Sequence, residues 1–126
     1  MKEFKSGNVT VCRRDTGEKQ EMPIKSLNTL TSTLEDIQKA MYDSANIFLE
    51  ENTFELNDYN EFKKLLSKEN CFIKAYWDGS DASELKVKEQ TKATIRCILE
   101  DVNDPNLKCI FSGEPAKHLV VFAKAY

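Results

Sequence analysis

Apolar and polar positions alternate along Asn8-Val9-Thr10-Val11-Cys12-Arg13-Arg14. That pattern predicts a half-buried strand, with Val9 and Val11 on one face and Thr10 and Cys12 on the other. Asp15-Thr16-Gly17-Glu18 reads as a turn in which Gly17 can take positive φ. Glu21-Met22-Pro23-Ile24 reads as a short returning edge strand, because Pro23 donates no ladder bond. A lone two-stranded hairpin is marginal in water, so cover for its apolar face is expected from outside it. The period then becomes helical. Leu27, Leu30, Leu34, Ile37, Met41 and Phe48 predict a helix from Leu30 to Glu51, ending near Asn52 and capped by Ser26 or Asn28. At about 1.5 Å per residue such a helix spans roughly 30 Å, long enough to join two bodies.

A second helix is expected after Asp58, with Glu61 completing a capping box and Tyr59, Phe62, Leu65 and Leu66 forming its apolar stripe. Cys71 to Trp77 is rich in aromatic and β-branched residues and reads as a strand. Asp78-Gly79-Ser80-Asp81 reads as a turn, Ala82 to Gln90 as a short helix, and Thr94 to Leu99 as a strand. Lys108 to Phe111 and Lys117 to Ala123 are expected as two more strands, joined by Ser112-Gly113-Glu114-Pro115. In the last strand Leu119 and Val121 face one way, Val120 and Phe122 the other. A strand apolar on both faces is expected to be central and covered on both sides. The fold class is α/β (α+β). Residues 1–28 form a hairpin, 29–56 a connecting helix, and 57–126 a compact mixed-sheet domain with helices.

Composition narrows the function. The chain has 126 residues, 40% hydrophobic and 31% charged. No run approaches the roughly 18 apolar residues of a membrane span, so no membrane association is expected. Met1-Lys2-Glu3-Phe4 leads into no apolar stretch, so no secretory signal is expected. The four cysteines show no paired spacing, which points to a reducing, cytoplasmic setting. Charge is uneven. Residues 1–28 carry six Lys/Arg against four Asp/Glu, and the remainder twelve against seventeen, for a net charge of −3. An acidic majority argues against a free-standing, non-specific nucleic-acid binder. Any RNA contact is expected in the N-terminal quarter.

No Gly-rich phosphate loop, nucleophile elbow or HExxH motif is present. His118, the single histidine, has no catalytic companion nearby in sequence and is expected to be structural. Cys12, Cys71 and Cys97 sit in strand patterns and read as small buried hydrophobes. Cys109 opens a Cys-x-x-Ser-Gly turn. It looks like a zinc hairpin with a ligand missing, because the Ser112 hydroxyl stays protonated and binds zinc poorly. Arg13, Arg14 and Lys19 cluster at the tip of the first hairpin. They suit either a solvated turn with an Arg–Asp pair or contact with single-stranded RNA. The chain closes on Phe122-Ala123-Lys124-Ala125-Tyr126, an apolar end where polar tails are usual. A carboxylate on an ordered terminal aromatic is costly to desolvate, which implies that something receives it.

These stretches together resemble the C-terminal portion of the prolyl-tRNA synthetase family, archaeal/eukaryotic type. Arg13-Arg14-Asp15-Thr16-Gly17-Glu18-Lys19 resembles the hairpin closing the family's anticodon-binding domain. Phe72 to Trp77 with Gly79-Ser80, and Ala93 to Ile98, resemble its C-terminal zinc-binding-type domain. Phe122 to Tyr126 resembles its terminal strand. The resemblance implies an enzyme that ligates L-proline to tRNA(Pro) with ATP and Mg2+, as a cytoplasmic homodimer. Its catalytic core would lie outside these residues, so this part holds no catalytic residue and no cofactor of its own. Lys19 is then the expected base contact, with Arg13 and Arg14 as weaker ones, and the Tyr126 carboxylate reaches toward the active site. The family's zinc pattern, Cys-x4-Cys then Cys-x2-Cys, falls here on Asp78-x4-Ser83 and Cys109-x2-Ser112. One cysteine of four remains, so no tightly bound zinc is expected, and hydrogen bonds linking Asp78, Ser83 and Ser112 could take its place. The alternative is a stand-alone α/β interaction module derived from the synthetase. That module would need a partner or a dimer to cover its hairpin.

Overall fold

Val9, Val11 and Met22 are the inward positions of the first hairpin, and each is half-buried. Strand β1 (Asn8–Cys12) pairs antiparallel with β2 (Lys19–Pro23). Gly17, at φ +72°, turns the loop between them, and its N–H donates to the Arg13 carbonyl at 2.9 Å. The structure is a computed structural model and describes residues 7–125. After Pro23 the chain enters a 3-10 turn (Ile24–Thr29) and then helix α1 (Leu30–Glu51). Neither Ser26 nor Asn28 caps this start. The 3-10 turn supplies the first carbonyls instead, and Thr29 Oγ1 donates to the Ser26 carbonyl at 2.7 Å.

Asp58 does cap the next helix. Its carboxylate accepts from the backbone N–H groups of Asn60 and Glu61 at 2.8 and 2.9 Å, which starts α2 (Tyr59–Lys68). Strand β4 (Phe72–Trp77), helix α3 (Asp81–Thr91), and strands β5 (Ala93–Asp101) and β6 (His118–Lys124) follow. A three-residue strand, β3 (Thr53–Glu55), lies parallel to β4 and was not expected from the sequence. The sheet order is β3-β4-β6-β5, with β6 antiparallel to both neighbours. The sheet is therefore mixed, and the last strand is central, as its apolar faces predict. One face carries Ile73, Ala75, Val120 and Phe122 against Phe62 and Leu66 of α2 and Val87 of α3. The Phe62 and Phe122 rings meet edge to face at 5.3 Å.

Two more sequence expectations are corrected. Lys108 to Phe111 is not a strand. Cys109 and Glu114 close a tight turn, Gly113 bends it at φ +73°, and only Lys108 bridges to Pro115. Ile110 and Phe111 turn into the core rather than along a ladder. Of the three cysteines expected to be buried, only Cys71 is. Cys12 ends an edge strand, and Cys97 follows a β-bulge in the edge strand β5, so both are exposed.

The chain divides into two compact units, residues 1–48 and 49–126. β3 and the last residues of α1 fall within the second of these compact units.

Candidate functional site

Strand β4 delivers Asp78 just past its last residue, in a turn made by Gly79. Asp78 Oδ1 accepts from the Ser80 N–H at 2.9 Å and the Ser80 hydroxyl at 2.8 Å, which is an Asx-type turn. Ser80 then caps α3 through the Ser83 N–H. This places Ser83, in the first turn, with its hydroxyl 2.6 Å from Asp78 Oδ1. The Cys109–Gly113 turn brings Ser112 Oγ to 2.6 Å from Asp78 Oδ2. The family resemblance put Asp78, Ser83 and Ser112 at former zinc positions and suggested hydrogen bonds among them, and the geometry shows such bonds.

Trp77 completes the arrangement. Its indole N–H can only donate, and it donates to Ser83 Oγ at 3.0 Å. Ser83 accepts there and gives its own proton to Asp78, the nearer of its acceptors, with the Ser80 carbonyl at 3.0 Å. Burial works against a charged Asp78. The hydrogen bonds from Ser112, Ser83 and Ser80 outweigh it and hold the carboxyl well below the ordinary carboxylate range. Ser83 is buried yet fully partnered. Sequence reading missed Ser80 and Trp77 as members. The Asp-x-Ser-x-x-Ser spacing, an Asx turn feeding a helix cap, was the available signal for Ser80.

Cys109 is buried beside this group, three residues before Ser112 in the same turn. Among the described residues no three His, Cys, Asp or Glu side chains gather in a way that could hold a metal ion. Tetrahedral zinc requires deprotonated thiolates or comparable donors. Here two of the four candidate positions are hydroxyls already committed to the third, so the donor set does not fit zinc.

His118, read from the sequence as structural, pairs with Asp101 and lies beside Trp77. Its Nδ1 is 2.8 Å from Asp101 Oδ1, and its ring centroid is 5.7 Å from that of Trp77. Cys71 is buried, and that burial, reinforced by Glu69, pushes its thiol up.

At the hairpin tip Arg13 is already engaged. It makes two bonds to Asp15, Nε to Oδ1 at 3.1 Å and Nη2 to Oδ2 at 2.7 Å. Arg14 and Lys19 are exposed and form no ion pair among the described residues. Lys19 stands opposite Cys12 in the hairpin register. Tyr126 lies outside the described residues, and the strand that leads to it is buried through Ala123. On the side of the sheet away from α2 and α3, Leu49, Phe72, Cys97, Leu99 and Val121 line an apolar groove, and Lys74 and Arg96 line it too. No helix among the described residues is long and apolar enough to cross a membrane.

Comparison with known proteins places this architecture. A family model described as the C-terminal region of prolyl-tRNA synthetase matches residues 59–126. The proline--tRNA ligase of Cytophaga hutchinsonii is 42% identical, over 99% of this chain and 26% of its own length. That of Chlorobium phaeobacteroides is 46% identical, over 96% and 27%. That of Flavobacterium johnsoniae is 40% identical, over 99% and 26%. The chain thus spans about a quarter of the length of these curated relatives. The matched residues take in the Asp78 turn, both core helices and the central strand, and on that basis the chain belongs to the prolyl-tRNA synthetase C-terminal family.

Proposed function

We propose that this chain is the C-terminal, non-catalytic region of an archaeal/eukaryotic-type prolyl-tRNA synthetase. The complete enzyme joins L-proline to tRNA(Pro) using ATP and Mg2+, which are bound by a core outside these residues. It works in the cytoplasm as a homodimer. Proteins named proline--tRNA ligase align with nearly all of this chain, hairpin and sheet together, and that breadth carries the reading. Residues 1–28 are the last hairpin of the anticodon-binding domain, 29–56 connect, and 57–126 dock on the catalytic core. The open apolar groove beside Phe72 and Val121 supports such docking.

Lys19 is proposed to contact an anticodon base, helped by Arg14. Arg13 contributes less, because Asp15 already holds its guanidinium. The Tyr126 carboxylate is proposed to position groups near the active site without making or breaking a bond. Two variants of the complete enzyme test these roles. Lys19→Ala should raise the KM for tRNA about tenfold while proline-dependent ATP–pyrophosphate exchange stays unchanged. Removing Ala125 and Tyr126 should slow that exchange. Wild-type prolylation kinetics in both variants would remove the hairpin and the terminus from the mechanism.

A further inference from the structure

We infer that Asp78 is the centre of a metal-free clasp that holds β4, α3 and the 109–114 turn together, so that this unit folds without zinc and does not depend on it. The inference rests on side-chain geometry, apart from any assignment of activity. Three separate stretches of chain converge on one carboxylate. The turn after β4 supplies Asp78 and Ser80, the first turn of α3 supplies Ser83, and the distant loop supplies Ser112, 34 residues away in sequence. Both carboxylate oxygens are occupied, Oδ1 by Ser80 and Ser83 and Oδ2 by Ser112. Neighbouring backbone bonds run the same way. The Ile110 N–H donates to the Tyr76 carbonyl at 2.9 Å, and the Lys117 N–H to the Trp77 carbonyl at 2.8 Å.

A zinc ion at this place would have to break the Ser83 and Ser112 bonds to Asp78. It would gain only one thiolate, from Cys109, and hydroxyls that keep their protons. Breaking the Ser83 bond would also disturb the oxygen that receives the Trp77 indole N–H. Charge-assisted hydrogen bonds of 2.6 Å are the stronger class, and a metal on this carboxylate would compete with them. The clasp therefore replaces a metal cross-link by a hydrogen-bonded one. Its integrity depends on neither metal supply nor thiol redox state.

The test uses the full chain grown and purified in zinc-supplemented medium. Metal analysis after dialysis should find zinc far below one per chain, and EDTA should leave the thermal midpoint unchanged. Ser112→Ala, at an exposed position that leaves the core intact, should lower that midpoint by about 4–8 °C, again without response to EDTA. One zinc per chain surviving dialysis, or a midpoint that drops on chelation, would overturn the metal-free assignment. An unchanged midpoint in Ser112→Ala would overturn the clasp. None of these readouts involves prolylation, so their failure leaves the synthetase reading standing, and the converse also holds.

Discussion

Residues 8–48 and 49–125 contain similar kinds of secondary structure and differ in what covers it. In the second region Phe62, Ile73, Val120 and Phe122 are almost fully sealed from solvent. In the first no described residue is buried. Helix α1 leaves Leu34, Met41 and Phe48 more than half exposed, though their spacing is that of a core-facing stripe. In proteins most helical stability comes from packing of an amphipathic face rather than from intrinsic propensity. The contrast separates two things that a hydrophobic pattern encodes. It sets the local conformation, and it specifies a face to be covered. In the second region the cover comes from the same stretch of chain. In the first, the proposed source is the rest of the synthetase.

The largest expected effect tests that contrast directly. Phe62→Ala removes a sealed ring that packs on Phe122, and should cost about 3–5 kcal/mol. Met41→Ala, in the exposed stripe of α1, should change stability by no more than about 0.5 kcal/mol. Trp77, the chain's single tryptophan, lies in the second region, so denaturant titration followed by its fluorescence reads that unit alone. A comparable loss in both variants would mean that the two regions share one core. Amide hydrogen exchange gives a finer version. Protection should be highest in β6 and should fall toward that of a free helix along the middle of α1.

Next in size is the clasp. Asp78→Asn removes the negative charge on which three serines converge, and should cost about 1.5–3 kcal/mol. The pH dependence has a definite sign. Because the folded carboxyl ionises below its ordinary value of 3.8, the unfolded chain takes up this proton first. The contribution is fully present above pH 3.8 and declines progressively as the pH falls below it. Acid titration of unfolding should show that slope in the wild type and lose that share of it in Asp78→Asn. Parallel curves for the two proteins would mean that Asp78 is not the titrating group. The hairpin offers the control, since the exposed Arg13–Asp15 pair should matter little to stability.

Much of this was legible in the sequence where the signal is local. The Asp58 cap, the Gly17 turn and the doubly apolar β6 each follow from residue chemistry within a few positions. The gathering of Asp78, Ser83 and Ser112 was legible only through spacing shared with a known family. What stayed hidden depends on distant partners. β3 is three residues long, includes the polar Glu55, and exists because β4 lies parallel beside it. Cys97 looks like a core residue by composition. An edge position and the irregular pairing that follows Ile95 leave it exposed. Ile110 and Phe111 carry the residue types of a strand, yet the turn that closes on Gly113 curls them into the core.

The smallest expected effect is a gain, and it falls on one region alone. Helix α3 ends at Lys92, which sits at φ 65° in the left-handed region with its N–H bonded to the Lys88 carbonyl at 2.9 Å. A Cβ in that conformation crowds the following carbonyl, and glycine relieves the crowding while keeping the capping bond. Lys92→Gly should therefore stabilise the second unit by about 0.5–1 kcal/mol, net of the greater freedom glycine gives the unfolded chain. The Trp77-detected transition should move to higher denaturant with its slope unchanged. Exchange rates in the middle of α1 should not move, because the added stability has no route into a helix without buried residues. If α1 slowed together with the sheet, the two regions would be energetically coupled, and the exposed stripe of α1 would need a different explanation from a missing cover.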